Sequence, residues 1–127
     1  MKVLPWYGLL LIVLFCAAMM TREGFESSPS TLLDDIANKK VLLLVYTTAC
    51  GHCIKLKPVW DKVASKHTEK MVAIDASDTA NSAVQAITSK FNVTAYPTMI
   101  VLDNGQVVEQ YEGGRTEQEL SAFVEKL

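Results

Sequence analysis

Apolar residues fall in blocks of different period along this chain. Residues 3–20 carry no charged side chain and include the run Gly8-Leu9-Leu10-Leu11-Ile12-Val13-Leu14-Phe15. As a helix this stretch would reach about 27 Å, the thickness of a thin bilayer. Trp6 and Tyr7 lie near one end, where interfacial aromatics are expected. Residues 21–30 (Thr-Arg-Glu-Gly-Phe-Glu-Ser-Ser-Pro-Ser) then turn polar and read as a linker. Beyond them the period alternates between helix and strand. Leu32, Leu33 and Ile36 mark one side of a short helix ending near Asn38. Residues 41–46 (Val-Leu-Leu-Leu-Val-Tyr) have the length and composition of a fully buried strand.

From Cys53 the spacing is helical to about His67, with Leu56, Val59, Trp60, Val63 and Ala64 at core positions. Residues 71–75 form a second strand, and residues 82–91 a helix with Val84, Ile87 and Phe91 on one face. Residues 98–102 and 106–111 flank Asp103-Asn104-Gly105, a strong hairpin turn signal. The last helix opens at Thr116 with Glu119 three residues on, a capping-box pattern. Leu120, Phe123, Val124 and Leu127 complete its stripe. Helix-separated strands imply a parallel pair, and the hairpin adds an antiparallel one. The expected fold is α/β, a mixed sheet of about four strands with helices on both faces, preceded by one apolar N-terminal helix. The expected division is 1–20 anchor or signal, 21–30 linker and 31–127 folded domain.

Composition narrows the function. The chain has 127 residues, room for one domain, and a net charge of −2, which gives no electrostatic case for nucleic acid. Lys55, Lys57, Lys62, Lys66 and Lys70 tint one helix basic, as on a solvated helix face. Residues 3–20 read as a membrane anchor. The rival is a cleaved signal peptide, with Lys2 as its basic start and Cys16-Ala17-Ala18 as a weak cleavage site. Either reading places the rest of the chain in an oxidising lumenal or extracytoplasmic space, membrane-attached in one case and secreted in the other. Cys16, inside the apolar run, reads as a small hydrophobe. That leaves Cys50 and Cys53, too few for a structural disulfide framework.

The placement of this pair carries its chemistry. It sits where a buried strand gives way to a helix, so the first sulfur lies at a helix N-terminus, where the dipole and free N–H groups favour an anion. Thiolate is the reactive form of cysteine, and such sites lower its pKa. Cys50 is expected to attack, and Cys53, one turn later, to resolve the mixed disulfide. Gly51 keeps the turn permissive and lets substrate backbone approach. An imidazole at His52 favours the Cys50 thiolate and so the dithiol form, which makes the disulfide a better oxidant. Metal binding is the chemical rival. Zinc usually takes four ligands with paired spacings, and one pair is present here, although a dimer could share a cluster across two Cys50/Cys53 pairs. Haem attachment would need His after Cys53, where Ile54 stands. No metal or other cofactor is expected.

The ordered set of motifs over residues 31–127 resembles the thioredoxin fold, and the Cys50-Gly51-His52-Cys53 tetrad resembles that of protein disulfide isomerase domains. Pro58, five residues after Cys53, matches a helix-kinking proline. Tyr96-Pro97-Thr98 matches the loop that carries the family's cis-proline, and Gly113-Gly114-Arg115 the approach to the last helix. The resemblance implies that Tyr96 and Pro97 bind extended substrate, and that Arg115 swings toward the buried cysteine to lower its pKa. It also implies cysteine-containing protein substrates, a redox partner and a monomeric domain. Potentials of thioredoxin and protein disulfide isomerase differ by about 90 mV, or about 4 kcal/mol for two electrons, so the His52 tetrad leans toward oxidation and isomerisation.

Three departures stand out. Ala49 replaces the family's aromatic residue before the first cysteine. Leu44 occupies the place of a buried acid that moves protons for the second cysteine, and Met71 and Ala73 occupy the stretch of its lysine partner. No counterpart of the family's first strand is evident in residues 26–31. The expected function is protein thiol–disulfide exchange through Cys50 and Cys53. The alternative is a thioredoxin-like binding or tethering module with little catalysis.

Overall fold

Strand β1 (Lys40–Tyr46) is buried from Val41 to Val45, and the other elements are arranged around it. A computed structural model describes residues 26–127. Helix α1 (Leu32–Asp35) precedes β1. After it come α2 (Gly51–Ala64), β2 (Met71–Asp75), α3 (Ser82–Lys90), β3 (Thr98–Asp103), β4 (Gln106–Gln110) and α4 (Glu117–Glu125). The sheet order is β2-β1-β3-β4. β1 runs parallel to β2 and antiparallel to β3, and β3 pairs antiparallel with β4. This is the expected four-stranded mixed sheet.

Alternation along β1 divides the core in two. Val41, Leu43 and Val45 pack with Leu32 of α1, with Ile36 at its C-terminal end, and with Val84 and Ile87 of α3. Leu42 and Leu44 face the other way, among Leu56, Trp60 and Val63 of α2 and Leu120 and Val124 of α4. Both faces are thus covered by helices. No charged or polar residue is buried among the described residues. Leu44 lies opposite Ala73 on β2 and Met99 on β3.

Local chemistry sets the element ends. Asn104 and Gly105, at φ 49° and 77°, make the two-residue turn between β3 and β4, where both central residues need positive φ. Thr116 caps α4, its hydroxyl accepting from the Glu119 N–H at 3.2 Å. The Glu119 carboxylate bonds the Thr116 hydroxyl at 2.7 Å rather than its backbone N–H, so the capping box is half formed. Pro58 lies inside α2, where it cannot donate to the Ile54 carbonyl one turn back.

Some expectations are corrected. Helix α2 starts at Gly51 and ends at Ala64, because Cys50 itself serves as its N-cap. Leu33 is exposed while Leu32 is buried. Successive helical residues point about 100° apart, so a one-turn helix turns only one of them to the sheet. The chain before α1 is also not wholly detached. Glu26 forms a single parallel bridge with Ala73, and the Ser27 N–H donates to the Ala73 carbonyl at 2.9 Å. This is one rung of an edge strand, on the open side of β2, and Pro29 follows closely. The expected anchor at residues 3–20, Cys16 and most of the linker lie outside the described residues. Among the described residues no helix is long and apolar enough to cross a membrane.

Candidate active site at the start of helix α2

The loop from β1 into α2 is tied to the end of β2. The Ala76 N–H donates to the Tyr46 carbonyl at 2.8 Å, and the Thr48 N–H to Ser77 Oγ at 2.9 Å. Ser77 is in turn fixed by Asp75, whose Oδ1 accepts from the Ser77 N–H at 2.9 Å. These bonds deliver Cys50 in extended geometry, φ −84° and ψ 122°, to the N-cap position. Its Sγ accepts from the Cys53 N–H at 3.3 Å, the role a serine or aspartate oxygen usually fills. The Cys50 thiol also points to the Tyr96 carbonyl oxygen at 3.5 Å.

The two sulfurs have opposite surroundings. Cys50 is half-buried, whereas Cys53 is only 2% exposed. The Cys50 pKa is lowered, first by the Cys53 thiol as a hydrogen-bond donor, then by the backbone N–H groups of Cys53 and His52 and by the charge of Arg115. Loss of hydration opposes these effects. The Cys53 pKa is raised, mainly by burial and then by donation to Cys50. A backbone hydrogen bond with Thr47 and the Arg115 charge pull it partly back. At neutral pH Cys50 is therefore the more ionised of the two.

The remaining expected residues gather around the pair to different degrees. The Tyr96–Pro97 bond is cis, and its loop meets Cys50 through the Tyr96 carbonyl. Arg115 lines a cleft of about 260 Å³ with Pro97, Thr98 and Glu112, and its charge reaches both sulfurs. The glycines before it have steric reasons. A Cβ on Gly113 would lie 2.7 Å from Tyr111 Oη, and one on Gly114 would collide with the Glu119 carboxylate. Gly51 differs: its φ is not positive, and open space lies where a Cβ would stand. The turn itself therefore does not demand glycine, while the space above it is free. His52 is exposed, and its connection to Cys50 is through its backbone N–H. Among the described residues no group of three or more His, Cys, Asp or Glu side chains could hold a metal ion.

A neighbouring cluster was not foreseen. Lys57 Nζ bonds Asp61 Oδ1 at 2.7 Å and Glu26 Oε2 at 3.1 Å, and lies 5.1 Å from the Tyr46 ring centroid. The Tyr46 hydroxyl donates to Glu26 Oε1 at 2.6 Å. The spacing of Lys57 and Asp61, four apart on a helix, was a legible signal. Glu26, inside a Ser-rich stretch, offered none.

Comparison with known proteins identifies the family of this fold. The family model described as Thioredoxin matches residues 18–126. Mouse protein disulfide-isomerase A4 is 37% identical over 95 residues, covering 72% of this chain and 14% of that protein. Protein disulfide-isomerase of Ricinus communis is 37% identical over 99 residues, covering 76% and 20% respectively. The chain thus spans a small part of the length of these relatives. The solution structure of the first thioredoxin domain of mouse protein disulfide-isomerase A4 is similar with a TM-score of 0.66 at 33% identity, covering 83% of this chain and 76% of that domain.

Proposed function

Since the chain belongs to the thioredoxin family, as a single domain of the protein disulfide isomerase type, we propose that it exchanges disulfides with cysteine-containing proteins through Cys50 and Cys53. In the reductive direction the Cys50 thiolate attacks a substrate disulfide. A Cys50–substrate bond forms, and the other substrate sulfur leaves as a thiolate that takes a proton from solvent. Cys53 then loses its proton and attacks the Cys50 sulfur. The substrate leaves with two electrons, and the Cys50–Cys53 disulfide remains. In the oxidative direction a substrate thiolate attacks Cys50 of that disulfide and releases the Cys53 thiolate, a second substrate thiolate displaces the Cys50 thiolate, and a redox partner later takes the two electrons left on the pair. In isomerisation a different substrate thiolate displaces Cys50 from the mixed disulfide before Cys53 attacks, so the substrate leaves with another pairing and no net transfer of electrons.

The observation that carries this reading is the asymmetry of the sulfurs, one accessible with a lowered pKa at a helix start, the other buried with a raised pKa. An exposed His52 in the tetrad leans the domain toward oxidation and isomerisation. Cis Pro97 and the Tyr96 backbone are where an extended substrate would lie, and Arg115 is the tuning cation. The domain works as a monomer in an oxidising lumenal or extracytoplasmic space, attached to a membrane through residues 3–20.

Reduction of insulin and oxidative refolding of a reduced test protein give the test. Turnover above that of a free dithiol is expected from the folded chain, and turnover no better than the dithiol contradicts the proposal. Cys53→Ala should trap substrates as mixed disulfides on Cys50. Retention in the pellet after carbonate extraction is expected of the anchored chain, whereas release contradicts the anchor. One observation favours a second reading, a tethering module. Leu44, Ala73 and Met71 leave the sheet beneath Cys53 without an ionisable group to take its proton. An empty Cys53→Ala trap in the native compartment is that reading's expected result.

A further inference from the structure

Beside the thiols, between the end of β1 and helix α2, a cleft of about 290 Å³ opens. Cys53 forms part of its wall, so it is continuous with the thiol site. The rest comes from Tyr46, Thr47, Thr48, Ile54, Lys57, Pro58 and Asp61, and the exposed lining is mostly apolar. That is unexpected for a wall containing a tyrosine hydroxyl, an ammonium and a carboxylate. Glu26 explains it. The Tyr46 hydroxyl and Lys57 Nζ are both bonded to the Glu26 carboxylate, and Asp61 holds Nζ from the other side. With its head group tied down over the Tyr46 ring, Lys57 offers its methylenes to the cleft. Ile54 of this wall is 60% exposed, the most of the four exposed large apolar side chains among the described residues.

A concave, mostly apolar surface whose charged groups, tyrosine hydroxyl and Thr48 hydroxyl are already paired gains by receiving an apolar group, and has little beyond the Thr47 hydroxyl to offer a polar one. We infer that this cleft seats an apolar side chain of the substrate, of the leucine, methionine or phenylalanine class, close in space to the cysteine joined to Cys50. This inference rests on the thiol-exchange reading above. It adds a specificity residue, Ile54, and a positioning residue, Glu26, which acts by holding Lys57 and Tyr46.

The test uses the reduced full chain and disulfide-linked peptides with leucine or serine at each position flanking the cysteine. Single-turnover reduction should be roughly five- to tenfold faster for the best-placed leucine than for serine, as expected for partial burial of one aliphatic side chain. Ile54→Ser should bring that ratio close to one. Glu26→Ala should lower it too, by leaving the Tyr46 hydroxyl unpaired at the cleft and the Lys57 ammonium held by Asp61 alone. Equal rates for leucine and serine peptides in the wild type, or a ratio that survives Ile54→Ser, would overturn the inference. Binding of the same peptides with serine in place of cysteine, followed through the Ile54 methyl resonances, needs no exchange chemistry. A leucine-selective shift there without turnover would uphold the cleft and sink the exchange reading. Turnover with neither shift nor selectivity would do the reverse. A concentration-dependent dimer abolished by Ile54→Lys would assign the cleft to a second copy and contradict the inference.

Discussion

The start of helix α2 and the sheet beneath it are chemical opposites. At the helix start two thiols, backbone N–H groups, the Tyr96 carbonyl and the charge of Arg115 act on each other. Below, Leu42, Leu44, Met71, Ala73 and Met99 are buried without a charged side chain among them. There Trp60 Nε1 is a buried polar atom with no partner. The contrast separates two tasks. Ionising Cys50 needs only the helix end and its donors, and these are intact. The sheet side of α2 offers no charged group to buried Cys53. The proposed attack by Cys50 and the proposed resolution by Cys53 are therefore supported unequally.

Perturbing the upper region should have the largest effect. Cys50→Ser removes the proposed nucleophile and should abolish insulin reduction while leaving the thermal unfolding curve nearly unchanged. Residual turnover would move the chemistry away from Cys50. Below, Leu44→Glu tests whether the interior admits an acid. With no cation facing it, the carboxylate should cost about 3–5 kcal/mol at pH 7 in urea unfolding. Its folded pKa would be raised, so the charge-dependent part of the penalty is absent below about pH 4.3, grows as pH rises and levels off above the folded value, while the cost of burying the neutral carboxyl remains at all pH. A cost under about 1 kcal/mol would break the contrast between the regions.

A smaller effect is expected from His52→Pro. Proline has no N–H, so the substitution removes a backbone donor to Cys50 as well as the imidazole. One charge-assisted hydrogen bond is worth about 1.5–3 kcal/mol, so the pair should become about 30–60 mV more reducing. A glutathione titration showing an unchanged or higher potential would contradict this. The smallest effect belongs to charge away from both regions. Lys39 and Glu69 form an exposed pair at 3.6 Å. Glu69→Gln should shift stability by no more than about 0.5 kcal/mol in chemical denaturation. A larger shift would show that surface charge matters here as much as the helix end.

Much of this layout was readable where one residue type determines the outcome. The buried run at residues 41–46, the Asn104-Gly105 turn and the Cys50/Cys53 junction are of that kind. The apolar replacement at Leu44 was readable through the family resemblance, and the structure adds that it faces α2. What escaped depends on contacts between distant segments. Periodicity counts side chains, so it placed the start of α2 at its first buried residue, Cys53. It could not foresee Cys50 using its sulfur as the cap. Glu26 looked like linker because its partners, Tyr46, Lys57 and Ala73, lie 20 or more residues away and meet it only once the sheet has formed.

The inequality of the two sulfurs is tested most directly by alkylation. The reduced, folded chain is treated with iodoacetamide across a pH series, and each cysteine is followed by peptide mass spectrometry. Cys50 should react with a midpoint below about 8.5, the value of an ordinary cysteine. Cys53 should stay unmodified until urea unfolds the chain. A Cys50 midpoint at or above that value, or a Cys53 that reacts as fast as Cys50 in the folded state, would contradict the account.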